Sequence, residues 1–181
     1  NPNYNYPTIF RVFKEAYPNK KIGVFSTWLD NRTKLVGDGL VQTNYLHVDY
    51  HRDGYELDTV QFPHDKKAWY IHLIDEKVVA EASKVIKDSA PDMSWVYLEY
   101  TDDMGHKYGK SAELDTAISM LDKQIGSIMQ AVHFREKNFN EEWLVIITTD
   151  HGRDAQTGKN HGGQSDSERN TWLIMNKKPV K

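Results

Sequence analysis

The sequence predicts an α/β protein: a mostly parallel sheet with helices packed on both of its faces. Three observations carry that expectation. Short apolar runs rich in β-branched and aromatic residues recur at residues 21–27, 95–100 and 143–149, as strands do. Two long stretches of helical periodicity lie between them, and strands alternating with helices at this spacing indicate a parallel sheet with crossover helices. The run Leu144, Val145, Ile146, Ile147 is continuously apolar, which suits a strand covered on both faces beside the 95–100 strand.

Taken in order, residues 1–6 read as an irregular lead-in. Pro7 and Thr8 open a helix over residues 9–16, with Ile9, Val12, Phe13 and Ala16 at helical spacing and Pro18 as its stop. Residues 28–63 show turn signals at Gly37-Asp38-Gly39 and Arg52-Asp53-Gly54 but no long element. A helix over 65–89 carries the stripe Ile71, Ile74, Val78, Ala82, Val85, opposed by Asp75, Glu76, Lys84 and Lys87. A second, over 111–135, aligns Leu114, Ile118, Leu121, Ile125, Ile128 and Val132, and a last strand covers 171–175. With 181 residues, 39% hydrophobic content and no repeat or linker, the chain is expected to form a single domain.

Composition narrows the function classes. A net charge of −3 without a basic block argues against a nucleic acid polymer as partner, and no apolar run is long enough to span a bilayer. With no cysteine there is neither a disulfide nor a thiolate metal site. The start at Asn1-Pro2, without an initiator methionine, reads as a piece of a longer protein.

The chemistry concentrates in two loops that follow strands. After residues 95–100 comes Thr101-Asp102-Asp103-Met104-Gly105-His106-Lys107-Tyr108-Gly109; after 143–149 come Asp150, His151, Gly152 and, ten residues later, Asn160, His161, Gly162, Gly163. Open α/β sheets place ligands beyond the carboxyl ends of their strands. Asp102 and His106 are four apart and share a side if the segment turns helically. Carboxylates and imidazoles without sulfur suit Zn²⁺ or Mn²⁺, and convergence of the two loops would build a dinuclear site. Asp103, Gly105, Asp154 and Asp166 are read as turn residues or helix caps. His47, His51, His64, His72 and His133 lack the acid–glycine context and are read as surface or packing residues. Trp28, Tyr45, Tyr50 and Tyr55 stay open between packing and stacking on a substrate.

The strings YTDDMGHKYG, VIITTDHGRD and GKNHGG, in this order, resemble the alkaline phosphatase superfamily, specifically its nucleotide pyrophosphatase/phosphodiesterase-like (type I phosphodiesterase) branch. The resemblance implies an alkaline phosphatase-like fold, incomplete at the N-terminus, within a larger catalytic domain. It implies two divalent metal ions, zinc ahead of manganese: Asp102, His106 and His161 for one, Asp150 and His151 for the other. It also implies a Ser or Thr nucleophile and a further Asp, both expected upstream of Asn1, so that the piece alone is inactive. Thr149, Arg153 and Asn160 are then candidates to hold the ligands in place. The implied substrate is a small phosphate ester or nucleotide, and the implied compartment is extracytoplasmic. Phosphomutases and sulfatases of the same superfamily are the enzymatic alternatives; a non-catalytic metal-binding or interaction domain is the alternative outside enzymes.

Overall fold

A computed structural model describes residues 4–178; the opening Asn1, Pro2 and Asn3 of the lead-in lie outside the described residues. Helix α1 (Ile9–Ala16) starts where Thr8 Oγ1 accepts the Arg11 amide at 3.3 Å. Strand β1 (Ile22–Ser26) follows, buried throughout. It is the middle strand of a parallel sheet ordered β2-β1-β3, with β2 at Tyr50–Arg52 and β3 at Met93–Tyr97. Side-chain alternation splits the sheet into two faces. Ile22, Val24 and Trp95 meet Phe10 of α1 on one, while Phe25 and Val96 meet Ile74, Val78, Ala82 and Val85 on the other. The latter belong to α2 (Trp69–Ser89). The expected α/β layout, a parallel sheet with helices on both faces, is therefore what forms.

Several boundaries move for local reasons. The long helix starts at Trp69 rather than at residue 65 because Asp65 turns back on the chain, its carboxylate accepting the Lys67 and Tyr70 amides at 2.7 and 2.9 Å. The 95–100 strand begins two residues earlier and stops at Tyr97, and Tyr100 already opens a helix, α3 (Tyr100–Tyr108). Helix α4 (Ala112–Phe139) is capped by Ser111, whose Oγ accepts the Leu114 amide, and runs four residues past the expected end. Strand β2 sits in the segment that showed only turn signals: three residues between turns leave too little pattern to read. The turn signals themselves hold, with Gly37, Gly39 and Gly54 all at positive φ.

One expectation is corrected. The 143–149 run does not join the parallel sheet. Its strand β4 (Ile146–Thr148) pairs antiparallel with β5 (Leu173–Met175), and among the described residues these two form a separate ribbon. Nor is it covered on both faces. Trp143 and Val145 pack on Ala131 and Val132 of α4, while Leu144 and Ile146 point away, 58% and 50% exposed. A continuous apolar run records a preference for burial, not which neighbour supplies it; here α4, with Ile86 of α2, covers alternate residues only.

Asp75 is the buried carboxylate of α2, 1% exposed. It accepts the Thr27 hydroxyl at 2.5 Å and the Glu99 and Tyr100 amides at 3.1 and 2.9 Å. Burial pushes its carboxyl up to about 7, against the pull of those donors and with the Glu99 charge adding to the rise. Thr27 Oγ1 also reaches the Tyr97 carbonyl at 3.2 Å. A protonated Asp75 therefore donates to Thr27, which donates onward to Tyr97, and the network is satisfied in both charge states.

Two outcomes follow from this packing. Ile74→Ala, in the dry contact between α2 and the sheet, is expected to lower unfolding free energy by about 2–5 kcal/mol in denaturant titrations. Asp75 takes up a proton on folding, so its stabilisation is full below about pH 4 and is lost as pH rises through about 7. Melting temperatures measured between pH 4 and 8 should show this fall in the native chain, and Asp75→Asn should flatten it.

Candidate metal centre

The site is assembled from α3 and the loop between β4 and β5. Because α3 is helical, Asp102 and His106 do share a side, His106 Nε2 lying 3.2 Å from Asp102 Oδ2. The loop brings His161 to the same place, its Nε2 2.9 Å from that of His106 and 3.7 Å from Asp102 Oδ1. His151 stacks on His161 with ring centroids 3.7 Å apart, and its Nε2 is 3.8 Å from Asp102 Oδ1. Asp150, largely exposed, reaches His151 Nε2 at 3.6 Å. All five residues singled out in the sequence thus border one small volume. Asp102, His151 and His161 each offer a ligand atom within 4.8 Å of the others. His151, grouped with Asp150 by the resemblance, therefore also lies among the donors of the other set.

The electrostatics suit a cation. Burial and the neighbouring His151 hold His161 below the usual imidazole range, which keeps it neutral and able to donate a lone pair. His151 Nδ1 faces the Gly152 carbonyl at 3.0 Å; a carbonyl only accepts, so Nδ1 carries the proton and Nε2 is left free toward Asp102. Acidic groups crowd the other side. Burial raises the carboxyls of Glu99 and Asp103, with Asp102 adding to both. The Tyr97 hydroxyl, raised by burial and the Glu99 charge, donates to Glu99 Oε2 at 2.5 Å. Three imidazoles with the Asp102 and Asp150 carboxylates form a donor set of the kind that intermediate divalent cations select.

Arg153 ties the two halves together. Its guanidinium donates to the Asp102 carboxylate and, at 2.8 Å, to the Asp102 carbonyl. The same side chain reaches the Gly158 and Lys159 carbonyls at 3.4 and 3.3 Å. Gly105 makes this approach possible, since a Cβ there would overlap the guanidinium. Gly105 is thus a mid-helix packing glycine, correcting its reading as a turn or cap residue: the pattern shows that glycine is needed, not what lies against it. Asp103 likewise sits inside the first turn of α3 rather than capping it. Asp166 is the first residue of α5 (Asp166–Arg169), next to its N-cap Ser165. Asp154 is the turn residue it was read as: its carboxylate accepts the Thr157 and Asn160 amides at 2.7 and 2.8 Å and is held far below the usual range by them. Thr149 donates to the His151 carbonyl at 3.0 Å.

Of the remaining histidines, His72 is buried between Trp69 and Tyr100, and His64 stacks on Tyr70. Trp28 packs on the cluster joining α2, α3 and α4, Tyr50 and Tyr55 pack against α2's face of the sheet, and Tyr45 is exposed. What sequence reasoning missed is Asp75, whose acidic residue type was read as part of a polar helix face. Its i, i+3 relation to Val78 and its place one residue after Ile74 put it on the stripe side, a signal that was available.

Fold and cluster define an α/β protein with a carboxylate–imidazole cluster, a candidate metal centre, at the carboxyl side of its parallel sheet. Residues 6–174 match the family described as Type I phosphodiesterase / nucleotide pyrophosphatase, and the chain belongs to that family. Venom phosphodiesterase 2 of Crotalus adamanteus is 34% identical over 67 residues, 36% of this chain and 8% of that protein. The venom phosphodiesterase of Naja atra is 31% identical over 70 residues, 38% of this chain and 8% of its own length. Among solved structures, murine ectonucleotide pyrophosphatase / phosphodiesterase 5 superposes with a TM-score of 0.50 at 18% identity, over 82% of this chain and 34% of that one. The matched region is thus a small part of each of these relatives, and the structural likeness concerns the fold.

Gly105→Ala tests the close approach. The substitution favours helix by up to about 1 kcal/mol, yet its methyl displaces Arg153 from Asp102. The expected result is unchanged or higher helicity by circular dichroism, together with weaker binding in a zinc titration.

Proposed function

We infer that this chain carries the metal-holding part of a phosphoric-ester hydrolase acting on a small phosphate ester or nucleotide, with two divalent ions, zinc ahead of manganese. The observation that carries the reading is the convergence of Asp102 with His106, His151 and His161 at 3.2–3.8 Å. Asp102, His106 and His161 hold one ion; Asp150 and His151 hold the other. Bound divalent cations supply Lewis acidity toward phosphoryl oxygens and toward a hydroxyl nucleophile. The chain's own residues do the rest. His161 presents a neutral nitrogen, His151 turns Nε2 toward Asp102, and Asp102 offers its carboxylate oxygens. Arg153 keeps Asp102 from swinging away and Thr149 holds the backbone of His151. No Ser or Thr of this chain is assigned as the group that attacks phosphorus, so the 181-residue chain is expected to bind metal without turning substrate over.

Isothermal titration with zinc tests this directly. The native chain should bind, and Asp102→Ala or His161→Ala should weaken binding by at least the 10–100-fold range, roughly, found when even outer partners of a metal site are removed. Unchanged affinity in both variants would overturn the metal centre. Hydrolysis of p-nitrophenyl phosphate esters with added zinc should stay at background; turnover that disappears in His161→Ala would place the nucleophile within these residues instead.

A further inference from the structure

We propose that Asp75 is a positioning residue of the metal centre: through the Glu99 and Tyr100 amides it fixes where α3 begins, and so where Asp102 and His106 stand. The role rests on the reading of the Asp102 cluster as a metal centre. Asp75 touches none of the five candidate ligands. Instead it joins three elements at one point. Its own helix is α2, its partner Thr27 follows the central strand β1, and the two amides it binds enter α3. Glu99 is the residue before α3, and no side chain of its own neighbourhood caps that helix. The first N–H groups of a helix need an acceptor when they are withdrawn from water. Asp75 supplies it from 24 and 25 residues away, in place of the usual local Ser, Thr, Asp or Asn.

The consequence is geometric. The α3 ligands lie two and six residues beyond Tyr100, within the first two turns of a nine-residue helix. A helix this short holds its direction through its end contacts. Arg153 fixes Asp102 from the loop side, and Asp75 fixes the same turn from the sheet side. Loss of Asp75 frees the start of α3 to shift or fray while α2 and the sheet remain packed. The chemistry also indicates which substitution preserves the role. An asparagine can accept both amides through Oδ1 and donate from Nδ2 to Thr27, which donates onward to the Tyr97 carbonyl, as the protonated carboxyl does.

The test uses the full 181-residue chain and zinc alone. Asp75→Ala is expected to weaken zinc binding by about tenfold or more and to lower hydrogen-exchange protection of the amides of residues 99–105, with no metal added. Asp75→Asn is expected to restore both. Val85→Ala, which opens a cavity between α2 and the sheet away from α3, serves as the control. It should lower the melting temperature and leave both readouts native. Native zinc affinity in Asp75→Ala, or an equal loss in Val85→Ala, overturns the positioning role while leaving the metal centre standing if Asp102→Ala still abolishes binding. No zinc binding by the native chain overturns the metal centre itself; the exchange protection then still reports whether Asp75 holds α3. Should Asp75→Ala fail to fold, Asp75→Leu takes its place: it keeps the helix face filled and removes the acceptor of the Glu99 and Tyr100 amides, and full retention of protection and affinity would overturn the proposal.

Discussion

The structure depends on one buried carboxylate. Asp75 withdraws from water at the crossing of α2, the end of β1 and the start of α3, and each of its contacts is a hydrogen-bond donor. Burying a carboxylate is costly unless donors satisfy it, and here the donors come from the elements that must be held in place. The energetic tension shows in the upward shift of its carboxyl. A leucine at this position would pack the helix more cheaply but would leave the Glu99 and Tyr100 amides without an acceptor.

The candidate metal centre repeats this economy on the solvent side. Four donor groups with little mutual attraction, three imidazoles and one carboxylate, are held together by contacts made elsewhere. Arg153 lies across Gly105 and grips Asp102. Gly109, at positive φ, lets Thr157 O accept the Lys110 amide at 3.1 Å, and Asp154 folds its own loop so that His161 returns to α3. The two glycines that bracket His106, Gly105 and Gly109, are therefore points where the α3 segment passes close to the loop. A side chain at either would separate α3 from the loop.

The β4–β5 ribbon follows different physics. Just before β4, Trp143 and Val145 pack on Ala131 and Val132 of α4 and Ile86 of α2, while Ile146, Leu173 and Ile174 of the ribbon itself are exposed. A two-stranded ribbon gains little stability by itself, and the segment that leads into it is what packs on the helices. The candidate ligands thus come from two supports, Asp102 and His106 from α3 and Asp150, His151 and His161 from the loop between β4 and β5.

The sequence by itself determined the elements with long periodicity, the α/β class and the five candidate ligands, because each is written in local spacing. The stripe Ile71, Ile74, Val78, Ala82, Val85 can only make a helix with one covered face. Asp102 and His106 share a side because a helix turns every 3.6 residues or so, and the acid–histidine–glycine strings name their chemistry by residue type. Only the tertiary structure decided that β4 leaves the parallel sheet for β5, that β2 adds to β1, that Gly105 makes room for Arg153 and that Asp75 holds the start of α3. Each of those rests on a partner from another part of the chain, 24 residues away for Asp75 and Glu99 and 51 for Asp102 and Arg153. Spacing along a chain carries no record of which distant backbone or side chain will occupy the facing surface.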